Sequence, residues 1–202
     1  MERNFIYLAS ASPRRLELLG RIGVPFAVCP AEVDERRGPR EAPADYVLRT
    51  AAAKAAAGWQ SPPVQADPRP VLAADTAVVV AGRVLGKPRD MAAALEMLAA
   101  LSGRTHVVLT AVALKEGAAA EVLLSTNEVR FRATTEAERS AYYATGEPLD
   151  KAGAYGIQGR GAVFIEHLRG SYSAVMGLPL YETALLLARF GLPAWLAAGP
   201  SA

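Results

Sequence analysis

Apolar and polar residues fall in blocks along the chain, and the period of each block predicts its backbone. Residues 4–9, Asn-Phe-Ile-Tyr-Leu-Ala, predict a first strand, and residues 16–22 an amphipathic helix opened by Ser12 and Pro13. A short strand is expected over 23–28 and an alanine-rich helix over 44–57, in which Val47, Ala51 and Lys54 share one face. Residues 61–70 are proline-rich and predict a surface loop. The most apolar block, 72–80, predicts a buried strand that Ala81-Gly82 turns back into a short second strand over 83–85. Asp90 suits the N-cap of a helix running to Leu101, with Leu95, Leu98 and Leu101 inward and Gly103 at its end. Two long strands, 106–115 and 121–132, are expected as an antiparallel pair across Glu116-Gly117. Thr135 and Glu138 spell a capping box for a helix to about residue 144. A strand over 161–167 and a last helix over 179–190, closed by Gly191, complete the pattern. From Pro193 the tail is apolar without period, suited to docking on the body or covering a dimer partner.

Alternation in the first half and a long strand pair in the middle give an α/β fold of mixed α+β character with a mixed sheet. The chain has 202 residues, enough for one substantial core or for two lobes sharing a sheet. A net charge of +2 gives no electrostatic case for nucleic acid or membrane binding, so any anion site is local. The single Cys29 cannot form an internal disulfide, which fits a reducing cytoplasm. Neither a signal peptide nor a membrane-length apolar run is expected.

Three stretches interrupt the pattern with chemistry. Asp75 places a carboxylate inside the buried strand, where it is costly unless a cation, a metal or hydrogen bonds compensate it. It is either paired with a neighbouring arginine or part of a site with Lys87, which follows the hairpin in Gly86-Lys87-Pro88. A carboxylate and an ammonium at one sheet edge suit phosphate chemistry. Arg14 and Arg15 stand in a first helical turn, the positive end of the dipole, where acidic residues are preferred. With Ser10 and Ser12 they suit an anion cradle, the plain alternative being solvated arginines. Lys54, at the edge of an apolar stripe, either snorkels to water or contacts phosphate. The charged segment 32–37, including Glu35, offers oxygen ligands or plain surface. Between Glu147 and Gly161, four glycines in nine residues preclude regular structure, and Asp150, Lys151, Gln158 and Arg160 supply polar groups. Gln158 pairs a donor with an acceptor and can read a base edge. Neither a Walker nor a dinucleotide fingerprint occurs. His106 and His167 have no second ligand nearby and read as structural.

Taken together, Leu8-Ala9-Ser10-Ala11-Ser12-Pro13-Arg14-Arg15, Ala74-Asp75-Thr76 with Gly86-Lys87-Pro88, and the run from Asp150 to Gly159 closely resemble the Maf family of nucleoside triphosphate pyrophosphatases. The resemblance runs from about residue 5 to 190. It implies a single domain of two lobes around a central cleft, elongated and similar to inosine triphosphate pyrophosphatases. It implies hydrolysis of a nucleoside triphosphate to the monophosphate and pyrophosphate with a divalent cation, Mg²⁺ or Mn²⁺. Arg14, Thr76 and Gln158 match the members acting on dTTP and UTP rather than those preferring 7-methyl-GTP. The resemblance puts the catalytic carboxylate on Asp75, with Lys54 and Lys87 beside it in catalysis. Substrate contacts fall on Ser10, Arg14, Arg15, Thr76 and Gln158, and the metal on Asp75 and Glu35. The family is also linked to inhibition of septum formation, so a regulator acting by nucleotide binding alone stays open, as does a homodimer.

Overall fold

The computed structural model describes residues 5–192, so the tail from Pro193 and the first residue of the expected opening strand lie outside the described residues. Seven strands form one mixed sheet: β1 (Ile6–Leu8), β2 (Phe26–Val28), β3 (Val71–Val80), β4 (Arg83–Leu85), β5 (Thr105–Glu116), β6 (Ala119–Phe131) and β7 (Ile165–Arg169). The order across the sheet is β2-β1-β3-β5-β6-β7, with β4 folded back on β3. β1 runs parallel to both β2 and β3, whereas β4 is antiparallel to β3 and β7 to β6. The α/β expectation with a mixed sheet therefore holds. Only two residues separate β5 from β6, a connection that antiparallel strands alone permit, and Gly117 supplies its positive φ of 58°.

The helices are α1 (Pro13–Arg21), α2 (Pro43–Trp59), α3 (Pro62–Ala66), α4 (Met91–Leu101), α5 (Glu136–Tyr143), α6 (Tyr172–Met176) and α7 (Leu180–Arg189). Several depart from expectation. The proline-rich loop contains α3, because Pro62 and Pro63 occupy the opening positions, where no amide hydrogen is needed. Residues 160–164 form a 3-10 turn, so β7 starts later than residue 161. Ser12 makes no side-chain cap; Ser10 Oγ instead accepts the Ser12 amide at 3.2 Å. In α4, Ala94 joins Leu98 and Leu101 inside, and Leu95 is only half-buried. Asp90 does cap α4 through Ala93 N, and the Thr135–Glu138 capping box is complete. Among the described residues no helix is long and apolar enough to cross a membrane.

The described residues divide into two compact units, one holding 5–75, Thr110–Ser125 and 177–192, the other Thr76–Leu109 and Thr126–Met176. In the first, Ile6, Leu8, Leu18, Leu19, Val71 and Leu72 are among the most buried side chains. In the second, Leu98, Phe131, Tyr142, Tyr155 and Phe164 anchor an aromatic-rich core. His106 Nε2 lies 2.8 Å from Tyr155 Oη inside it, a structural histidine as its lone position suggests; His167 is exposed on β7.

Candidate active site

The parallel register pairs Leu8 with Leu72, so the chain leaving β1 runs alongside the middle of β3. Ser10 thereby comes level with Ala74, next to Asp75, and α1 starts from the same place. Asp75 is 5 % exposed, and its Oδ1 accepts a hydrogen bond of 2.7 Å from Lys54 Nζ. The helical period that lined Lys54 up with Val47 and Ala51 carries it inward rather than out to solvent, and its exposure is 8 %. Its ammonium also meets Glu35 Oε1 at 2.8 Å, so one cation bridges two carboxylates contributed by a strand and a loop. The snorkelling alternative is excluded. Glu35 stays exposed like most of its segment, yet it is tied to a buried cation, whereas Asp34 simply pairs with Arg36.

Arg15 reaches the same cluster from α1. Its Nε donates to the Gly177 carbonyl at 2.8 Å and its Nη1 to Ser10 Oγ at 3.4 Å. Burial pushes the guanidinium pKa down, while the negative charges of Asp75 and Glu35 act against that shift. Asp75 is pushed above the ordinary carboxylate range: burial dominates, and Lys54 and Arg15 only partly restore the charged form. A raised pKa makes Asp75 a stronger base than a solvated aspartate. Its Oδ2 is buried and has no hydrogen-bond partner among the described residues. Tyr46 on α2 feels the same acids; burial first, then Asp75 and Glu35, push its phenol up to about 12.

An unpartnered carboxylate oxygen beside a second carboxylate suits a hard divalent cation. Mg²⁺ commonly uses one or two carboxylates and completes its shell with water and substrate phosphates. Among the described residues no cluster of three or more acidic, histidine or cysteine ligands exists. The donor set therefore fits a cation shared with a polyphosphate rather than a closed protein cage.

The second unit carries the other expected residues. Thr76 follows Asp75 on β3 and is half-buried. Lys87, just past β4, is exposed; the preceding Gly86 carbonyl accepts from Gly153 N at 3.0 Å, tying this segment to the glycine-rich stretch. Gly153 has φ of 69°, and a Cβ there would sit 3.0 Å from Val78, so neither its backbone nor its surroundings tolerate a side chain. Gln158 projects from the same stretch, exposed, between the buried Ile157 and Gly159. Thus Ser10, Arg15, Glu35, Lys54 and Asp75 converge within the first unit, with Arg14 half-buried on the same first turn of α1.

The Maf-like protein family model matches residues 5–190, nearly the whole chain. The chain belongs to the Maf-like family. Among its relatives, a protein of Alkalilimnicola ehrlichii is 56 % identical over 192 residues, covering 93 % of this chain and 94 % of that one. One of Saccharophagus degradans is 53 % identical over 190 residues, covering 94 % and 90 % respectively. One of Methylococcus capsulatus is 54 % identical over 187 residues, covering 93 % and 91 %. Each of these Maf-like relatives is named dTTP/UTP pyrophosphatase.

Sequence reasoning did not single out Tyr46, the Gly177 carbonyl, or Glu147 with Tyr142. Tyr46 shares the helix of Lys54, eight residues and just over two turns ahead of it, so the helical period alone could have placed it on the adjoining side of α2. The other three act through long-range contacts that no local pattern announces.

Proposed function

We propose that this Maf-like protein hydrolyses dTTP and UTP to the nucleoside monophosphate and pyrophosphate. The observation that carries the chemistry is the buried Asp75 carboxylate, one oxygen held by Lys54 and the other unpartnered among the described residues. The relatives' names support the substrate class.

In the reaction a water oxygen bonds the α-phosphorus, the bond from that phosphorus to the bridging oxygen breaks, and pyrophosphate departs. Asp75 Oδ2 either takes the water's proton, its basicity raised by burial, or anchors the cation that lowers that water's pKa. Lys54 holds Oδ1 and so fixes which oxygen faces the reactant. Arg15, anchored by Gly177 and Ser10, presents a guanidinium to phosphate oxygens, and charge placed there stabilises the transition state. Asp75 and Glu35 would hold a divalent cation, which when bound neutralises phosphate charge and lowers the pKa of water. The parts given to Arg14, Thr76 and Gln158 in base selection, and to Lys87 in catalysis, rest on the family resemblance. With nucleotide substrates and a single, free and buried cysteine, the cytoplasm is the expected compartment.

Steady-state hydrolysis of dTTP, UTP, dCTP and 7-methyl-GTP by the purified chain tests the reading. The first two are expected to have the highest kcat/KM, and Asp75→Asn should lower kcat by about a thousandfold with the fold retained. A variant retaining near wild-type rate would remove Asp75 from the chemistry. Preference for 7-methyl-GTP would move the chain to the other substrate class.

A further inference from the structure

Glu147 is absent from every role assigned above, yet its carboxylate accepts three hydrogen bonds. Tyr142 Oη donates to Oε1 at 2.7 Å, Arg160 N to Oε2 at 2.8 Å and Gly161 N to Oε1 at 3.2 Å. Tyr142 Oη in turn accepts the Gly156 amide at 3.1 Å. Three groups thus converge on one half-buried side chain, two of them backbone amides, and a third amide of the same stretch, residues 156–161, is held at one remove through Tyr142. The glycines of that turn are what permit the approach. A Cβ on Gly159 would lie 2.5 Å from the Glu147 carboxylate, and one on Gly161 would lie 2.7 Å from Tyr142 Oη. Lys151 Nζ closes the arrangement from the other side by donating to the Glu147 carbonyl at 2.7 Å.

The turn so gripped carries an exposed Gln158 whose amide makes no hydrogen bond among the described residues. Rigid backbone beneath an uncommitted amide is the arrangement a base-reading group requires. Orientation has to be fixed before binding if donor and acceptor are to discriminate between edges. Burial opposes ionisation of Glu147, but the Tyr142 hydroxyl and the two amides outweigh it and bring its pKa below the ordinary range. The brace is therefore charged at neutral pH, where charge-assisted bonds are strongest.

We propose that Glu147, together with Tyr142, is a positioning residue that fixes the Gly156–Gly161 turn and thereby sets the base discrimination exercised by Gln158. The inference rests on the pyrimidine triphosphatase reading, in which Gln158 meets the base. A carboxamide at position 147 offers one acceptor where the carboxylate offers two, and it turns an amine towards backbone donors.

The test compares dTTP with dCTP for the whole protein and for Glu147→Gln, Tyr142→Phe, Gln158→Ala and the Glu147→Gln/Gln158→Ala double variant. Glu147→Gln is expected to raise KM for dTTP about tenfold with kcat little changed, and to narrow the dTTP:dCTP ratio of kcat/KM. Tyr142→Phe should move both in the same direction by less, and it decides the matter if Glu147→Gln fails to fold. The double variant should discriminate no worse than Gln158→Ala alone, because the brace acts through that side chain. Amide exchange should quicken at residues 156–161 in Glu147→Gln while β5 stays protected. Unchanged KM and ratio in both brace variants, with Gln158→Ala impaired, would overturn the proposal while leaving the functional reading standing. Losses that multiply in the double variant would overturn it too. Failure of the wild-type protein to hydrolyse dTTP or UTP would instead bring down the functional reading, and it would be seen before any variant is made.

Discussion

Gly58, in the last turn of α2, shows how one residue couples a helix to the strands that carry the site. A Cβ there would lie 2.9 Å from Ala9 Cβ and 2.9 Å from Val71 Cγ1, next to β1 and on β3. Glycine to alanine inside a helix ordinarily gains about 1 kcal/mol. Here both neighbours are short, buried and attached directly to strand backbone, and overpacking of that kind costs about 1–3 kcal/mol. Gly58→Ala is therefore expected to lower stability by about 1 kcal/mol net, read as a reduced urea midpoint. An equal or higher midpoint would show that the strands yield without cost. The sequence could not reveal this contact, because nothing local to Gly58 names Ala9 or Val71 as its neighbours. Where chemistry rather than contact is the clue, residues were legible. Asp75 stood out as a charge in an apolar strand, Lys54 as a charge in an apolar stripe, and the two prove to be partners. Glu147 stood out as nothing, since a glutamate beside glycines and a proline reads as ordinary surface.

Elements were legible where their ends carry their own chemistry. Thr135 accepts the Glu138 amide at 3.2 Å and Glu138 Oε2 accepts the Thr135 amide at 2.7 Å, so the box read from the sequence starts α5. Thr135→Ala should cost about 1 kcal/mol, a fall in Tm of about 2–4 °C for a chain of this length. Thermal unfolding followed by circular dichroism measures it, and an unchanged Tm would mean Glu138 alone sustains the start. Elements were misread where a residue type has two uses. Proline predicts a loop at 61–70, whereas Pro62 and Pro63 open a helix. Serine predicts a cap at Ser12, whereas the acceptor that orders that turn is Ser10 Oγ. The hairpin neighbours, β3 with β4 and β5 with β6, were legible from their short turns, but the rest of the order was not, because periodicity states which residues form strands and not which distant strands become neighbours.

For the molecule as a whole, the balance between folded and unfolded states should depend on pH through His106. The imidazole is 1 % exposed, and burial lowers its pKa from 6.5 to about 4. Between those values the unfolded chain binds a proton that the folded chain refuses. The group's contribution is thus fully present above pH 6.5 and is lost as pH falls towards 4, about 3 kcal/mol in order of magnitude. Urea midpoints for wild type and His106→Gln between pH 4 and 7 check this, the variant giving the shallower dependence. Parallel curves would mean that the buried imidazolium is compensated in the folded state. A different consequence follows from the bridge that Lys54 makes between Asp75 and Glu35. Because the ammonium that bridges the two acids is part of the polypeptide, neither carboxylate has to find its first counter-charge in solution, in contrast to small domains that stay unfolded until metal arrives.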